Sequence, residues 1–247
     1  MSTGAARDIV FDRGCIAALL SVAGLRCIEL VCLGYEAFST VAGKLPELFF
    51  VTTSSNLAVF TLVPLVILLG VSATSLCSSP LVLVRAHSHH AALVICIKVI
   101  VVRAAVFSLA TVVSGMAAVA TKGFWVFGTA GTVTFLALES LLLALFNVSC
   151  QLVMLLGRLA GKSLLLGICL TVCYGSADYL ASFSPLLDNP ALYVGWRLTL
   201  LTADLSVVAI AGNAARLTSI AAALALACAA ASRRRELLPR EGDSDVH

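Results

Sequence analysis

Apolar residues in this chain come in long continuous blocks separated by short polar breaks. Each block can supply the roughly 20 helical residues that cross the hydrocarbon of a bilayer. The pattern predicts an all-α integral membrane protein with a single transmembrane domain over residues 1–247. Six spans are expected, at about 15–38, 56–76, 98–120, 131–156, 163–183 and 213–232. A closed β-barrel is the other way to satisfy backbone groups in lipid, but it would show short alternating segments, which are not seen here.

The breaks and interruptions add detail. Arg26, Glu29 and Glu36 interrupt the first span, and the second carries Pro64, where a kink is expected. A polar break before the third span contains Pro80, Arg85, His87, His89 and His90. The apolar stretch from Ala91 to Ala120 is too long for one crossing. Its first part, through Lys98 and Arg103, should lie at the interface with the charged heads snorkelling to water. Phe124, Trp125 and Phe127 suit a headgroup belt, and Gly157 to Lys162 reads as a short basic turn. Residues 184–212 hold Pro185, Asp188, Asn189, Pro190, Trp196, Arg197 and Asp204 yet stay half apolar. They predict a half-buried extracellular re-entrant segment before the last helix.

Composition agrees with lipid as the solvent. The 247 residues are 60% hydrophobic and 12% charged, with a mean hydropathy of +1.05, whereas a soluble domain is about a quarter charged. The net charge of +3 implies no nucleic-acid partner. Its distribution is informative, because six crossings put Arg7, Arg13, Arg85, Lys98, Arg158, Lys162, Arg233, Arg234, Arg235 and Arg240 on one side. Only Lys44, Lys122, Arg197 and Arg216 fall on the other. The positive-inside rule then makes both termini cytoplasmic in a multi-pass protein of the cell membrane. No small-residue cleavage site follows the first apolar stretch, so no removable signal peptide is expected. Eight of the nine cysteines lie in apolar segments, all but Cys77, and no disulfide framework or C-x-x-C zinc site is implied.

Several apparent motifs dissolve on inspection. Gly157-Arg158-Leu159-Ala160-Gly161-Lys162-Ser163 is one residue short of a phosphate-binding loop and sits between two membrane helices. His87, His89 and His90 offer imidazoles, but the remaining histidine is His247, and the reading is a solvated basic loop with no metal. The sequon at Asn147 lies inside a span. No nucleophile elbow, His-Glu-x-x-His or paired-aspartate motif is present, so no enzymatic activity is expected of this chain.

Ionisable and polar residues inside spans carry more information, because each is costly there and faces protein, a cavity or water. Arg26 and Glu29 are three apart and can pair, with Glu36 on nearly the same face. Ser140, Asn147, Gln151 and Arg158 follow at offsets of seven, eleven and eighteen; at about 100° per residue they make one stripe. Glu139 lies beside that stripe, and Asp178 is deep in the fifth span. Two uses remain open for Arg26, Glu29, Glu36, Glu139, Ser140, Asn147, Gln151 and Asp178: lining a translocation path, or joining helices.

The order of features resembles the permease subunit of a bacterial type-2 ABC exporter over most of the chain. Leu62-Val63-Pro64-Leu65 is similar to the family's Leu-Pro-Leu stretch. Val82-Leu83-Val84-Arg85 leads through a polar turn to Lys98, the segment 184–212 sits where the family has its extracellular hairpin, and Arg233-Arg234-Arg235-Glu236-Leu237 resembles the common basic ending. The sequence departs from many relatives in lacking an acidic residue and a Gly-Thr pair between Gly70 and Pro80. The resemblance implies a homodimer or related heterodimer, and export of a peptide, antibiotic or lipid. It also implies a separate ATP-binding cassette subunit that brings the ATP and Mg, with no cofactor in this chain. Its contact would be residues 78–90, with Pro80, Arg85, His87, His89 and His90. The alternative is an ion- or proton-coupled secondary transporter that uses Arg26, Glu29, Glu139 and Asp178 as a relay.

Overall fold

The computed structural model describes residues 12–32, 58–77, 89–121, 130–161, 163–184, 189–200 and 207–237. They form helices and turns, with no strand among them. The long helices are α1 (Arg13–Cys32), α2 (Val63–Cys77), α3 (His89–Thr121), α4 (Ala130–Gly161), α5 (Leu164–Ala181) and α6 (Val207–Leu237). Four contain stretches long and apolar enough to cross a membrane: His90–Ala117, Val133–Gly161, Leu164–Ala181 and Val207–Arg233. Arg13–Leu25 and Val59–Ser75 are shorter apolar stretches.

Polar residues are tolerated inside these helices because their hydroxyls bond to the carbonyl one turn back. Thr111 donates to the Phe107 carbonyl at 2.8 Å, Ser149 to Leu145 at 2.9 Å, Thr171 to Gly167 at 2.8 Å and Ser176 to Val172 at 2.6 Å. Pro64 stands in the first turn of α2, where its missing N–H is least costly. A π-helical turn, Ala58–Leu62, runs directly into it, at the place where a kink was expected.

Helix α4 is the hub and packs against α2, α3, α5 and α6. Its membrane-length stretch is 67% buried, against 11% for that of α6. The core between them holds Leu62, Val66, Leu69, Phe107, Val112, Phe135, Leu142 and Phe146. Where α4 meets α5 the backbones touch. A Cβ on Gly157 would lie 2.7 Å from Gly167 Cα, and one on Gly167 would lie 2.6 Å from the Met154 carbonyl oxygen. Small residues permit this approach, and close van der Waals packing is what joins helices in lipid.

Several expected boundaries shift. Residues 157–161 are the last turn of α4 and not a loop; Gly157 is retained there by its contact with α5, which outweighs glycine's low helix propensity. Helix α3 starts at His89, nine residues before the expected span, and α6 starts at Val207, inside the expected re-entrant segment. Arg103 does not snorkel; its side chain is 0% exposed and faces α1 and α2. Cys96 is disulfide-bonded, contrary to the expectation that no disulfide forms; which thiols packing brings together is not encoded in their spacing.

Candidate functional site

Three polar assemblies lie within the bundle. The first joins the start of α1 to α2 and α3. Asp12 caps α1 by accepting the Cys15 N–H at 2.9 Å, as a short acceptor side chain does ahead of a first turn. Its other oxygen accepts from the Ser72 hydroxyl and lies 3.4 Å from the Arg103 guanidinium. Arg103 also donates to Ser72 Oγ at 2.7 Å. Burial acts to raise the Asp12 carboxyl, but the Ser72 hydroxyl, the Cys15 N–H and Arg103 together hold it below its ordinary value of 3.8. This ion-paired cluster was not legible as such in the sequence. The signal was there in Asp12 at a helix start and Arg103 within an apolar run, but nothing in their spacing ties them together.

The second assembly is an irregular segment folded into the bundle between α5 and α6. It holds two 3₁₀ turns, Pro190–Leu192 and Trp196–Thr199. Asp178, 3% exposed on α5, organises it. Its Oδ1 accepts the Val194 N–H at 3.0 Å, and its Oδ2 accepts the N–H groups of Gly195 at 2.9 Å and Arg197 at 3.0 Å. From α6, Arg216 donates to the carbonyls of Ala191 at 2.8 Å and Tyr193 at 2.6 Å. The Tyr174 hydroxyl donates to the Val194 carbonyl at 2.9 Å. Arg197 stacks 4.7 Å from the centre of the Tyr193 ring and bonds to its hydroxyl.

Depth follows from the aromatic contacts. Trp196, buried, packs edge-on against Phe146 of α4, with ring centres 5.8 Å apart, and Phe146 stacks on Tyr174 at 6.1 Å. Phe146 lies sixteen residues into α4 from Ala130, so at 1.5 Å per residue the segment reaches about 24 Å along that helix. On its outer side, Tyr193, Val194, Ala215, Arg216, Ser219 and Ile220 line an open groove of about 350 Å³.

The third assembly is the polar stripe of α4. Asn147 and Gln151 are buried, and Glu139 is as enclosed as they are. Asn147 Nδ2 donates to Ser108 Oγ of α3 at 2.8 Å. The other polar atoms have no hydrogen-bond partner: Glu139 Oε2, Ser140 Oγ, Asn147 Oδ1, and both Oε1 and Nε2 of Gln151.

The expected site residues therefore separate. Glu139, Ser140, Asn147 and Gln151 share α4 and turn inward. Asp178 is engaged with backbone amides 16 to 19 residues further on. Arg26 and Glu29 lie on α1, but their side chains are outside the described residues, as are Glu36, Pro80, Arg85 and His87. His89 and His90 form the first turn of α3, with His90 exposed. Among the described residues no three His, Cys, Asp or Glu side chains are grouped to hold a metal ion. No family model matches the chain, and neither a curated protein nor a solved structure matches it.

Proposed function

We propose that this chain is the six-span permease subunit of an ATP-driven exporter in the cytoplasmic membrane, moving a hydrophobic or amphipathic substrate. The observation that carries the reading is the irregular segment 189–200, sunk about 24 Å along α4 and held by Asp178, Tyr174 and Arg216. Non-helical backbone is tolerated at membrane depth only where protein or an aqueous cavity surrounds it, and transporters place broken elements there. On this reading the segment is the counterpart of the half-buried hairpin of such permeases. On this reading α1 and α2 complete six crossings, both termini are cytoplasmic, and residues 78–90 dock the ATPase that supplies the energy.

The test is affinity purification of the tagged chain from its native membranes. A co-purifying subunit with a complete phosphate-binding loop, and vanadate-sensitive ATP hydrolysis that rises on co-expression, are expected. Recovery of no such subunit and unchanged hydrolysis would overturn the proposal. Reporter fusions at Arg85 and His247 should report the same side of the membrane.

One observation favours the second reading, an ion- or proton-coupled transporter: Glu139 is enclosed and one of its oxygens is unpartnered. Asp178 speaks against it, because its carboxylate is committed to three amides. Uptake into liposomes under a proton gradient without ATP, abolished by Glu139→Gln, would favour this reading over the first.

A further inference from the structure

Asn147 and Gln151 stand one helical turn apart on α4, so their side chains share a face and are within mutual reach. They do not bond to each other. Asn147 uses its Nδ2 on Ser108 and leaves Oδ1 without a partner, and Gln151 leaves both ends of its amide without one. The surroundings do not relieve this. Gln151 is fully buried, Val148 and Leu152 lie alongside in an apolar cluster, and Met154 closes the approach from the α2 side. The Cβ position of Gly70 would lie 2.8 Å from Met154 Sδ and 3.6 Å from Gln151 Cγ, so the thioether adjoins the glutamine.

An enclosed primary amide without hydrogen bonds is costly in a soluble protein and more so in a lipid-embedded bundle, where no solvent competes. The atoms left over are complementary: a donor at Gln151 Nε2, and acceptors at Gln151 Oε1 and Asn147 Oδ1. A ligand that accepts one bond and donates two gives each of these three atoms a partner, and water is the smallest molecule that does so. We propose that Asn147 and Gln151, where α4 meets α2 and α3, form a specific internal binding site for water, one molecule accepting from Gln151 and donating to Asn147. The site stands independently of what the chain transports. It gives the bundle a wet station in line with Ser140, two turns further along the same stripe.

The methionines supply the test. Met154 and Met116 are 0% and 1% exposed, but Met116 lies in the apolar core and Met154 adjoins Gln151. X-ray hydroxyl-radical footprinting of the full chain in lipid nanodiscs generates radicals from bound water in place. Met154 should be oxidised several-fold faster than Met116 if a buried water is held beside it. In Gln151→Leu the two rates should converge. Equal rates at Met154 and Met116 in the unaltered protein would overturn the proposal, and that comparison decides even if Gln151→Leu fails to accumulate. A Met154 rate unchanged in a folded Gln151→Leu protein would also overturn it.

Discussion

Replacing Asp178 with alanine removes the acceptor for three backbone N–H groups at once. The carboxylate takes the amides of Val194, Gly195 and Arg197 at 2.9 to 3.0 Å, and a hydrogen bond to a charged group contributes about 1.5–3 kcal/mol. Three such bonds do not add fully, because the freed segment relaxes and water can reach its outer side. A net loss of about 3–5 kcal/mol is expected locally, which corresponds to a roughly 10²- to 10⁴-fold larger open population of the segment. Asp178→Asn keeps one acceptor oxygen but turns an NH₂ towards amides that are themselves donors, so it should lie between alanine and the native residue.

Amide hydrogen exchange on the protein in nanodiscs measures this directly at residues 194, 195 and 197. Trp196 gives a second readout, since its emission should shift to the red once it leaves Phe146. Residues where α3 packs on α4 should keep their protection, which separates local release from global unfolding. If Asp178→Ala leaves exchange at 194, 195 and 197 unchanged while transport is lost, the carboxylate acts as a relay and its structural role is refuted.

Three further outcomes are expected. Gly167→Ala places a Cβ 2.6 Å from the Met154 carbonyl, backbone that has nowhere to go; it should lose about 1–3 kcal/mol in unfolding from detergent. Gly24→Ala, with nothing within 4 Å, should stay near neutral, and equal behaviour of the two would refute the close approach. Asp12 is held below 3.8 when folded, so its ionised form stabilises α1 above that pH. Stability is lost as pH falls through the lowered value. Protection of the Cys15 N–H should therefore collapse in acid, and Asp12→Asn should remove that dependence. Arg216 makes both bonds from its Nη2, so the three donors of a lysine ammonium should let Arg216→Lys restore part of what Arg216→Ala loses; exchange around residues 191–194 reports it.

What the sequence made legible follows from how local each signal is. The stripe Ser140, Asn147, Gln151 was readable because a helix repeats every 3.6 residues, and its inward facing follows from the cost of polar groups in lipid. Asp178 was flagged as a buried charge, but its partners are backbone amides, which no residue type announces. Arg103 reads as a snorkelling cation because it falls near the start of its expected span; only Asp12, which caps α1, and Ser72 of α2 decide for burial. Glycines at 157 and 161 suggested a turn, yet the close approach of Gly167 makes the first of them a packing surface within α4. Each miss arose where a distant element overruled a local preference.

The distribution of satisfied and unsatisfied polar groups also bears on where this bundle moves. Withdrawing the segment 189–200 would break five charge-assisted bonds, three to Asp178 and two from Arg216. At about 1.5–3 kcal/mol each, that is on the order of 7–15 kcal/mol before any relaxation. Parting α4 from α3 at its polar stripe breaks the neutral bond from Asn147 to Ser108, worth about 0.5–1.5 kcal/mol. Apolar side chains uncovered along that seam are met by lipid tails, which are as apolar as leucine. Opening the seam costs Gln151 and the Asn147 Oδ1 no protein hydrogen bond, because the partner proposed for them is water, which an opened seam also supplies. The inserted segment is thus the fixed part of the bundle, and the face of α4 that carries Asn147 and Gln151 has fewer charge-assisted bonds to lose by moving.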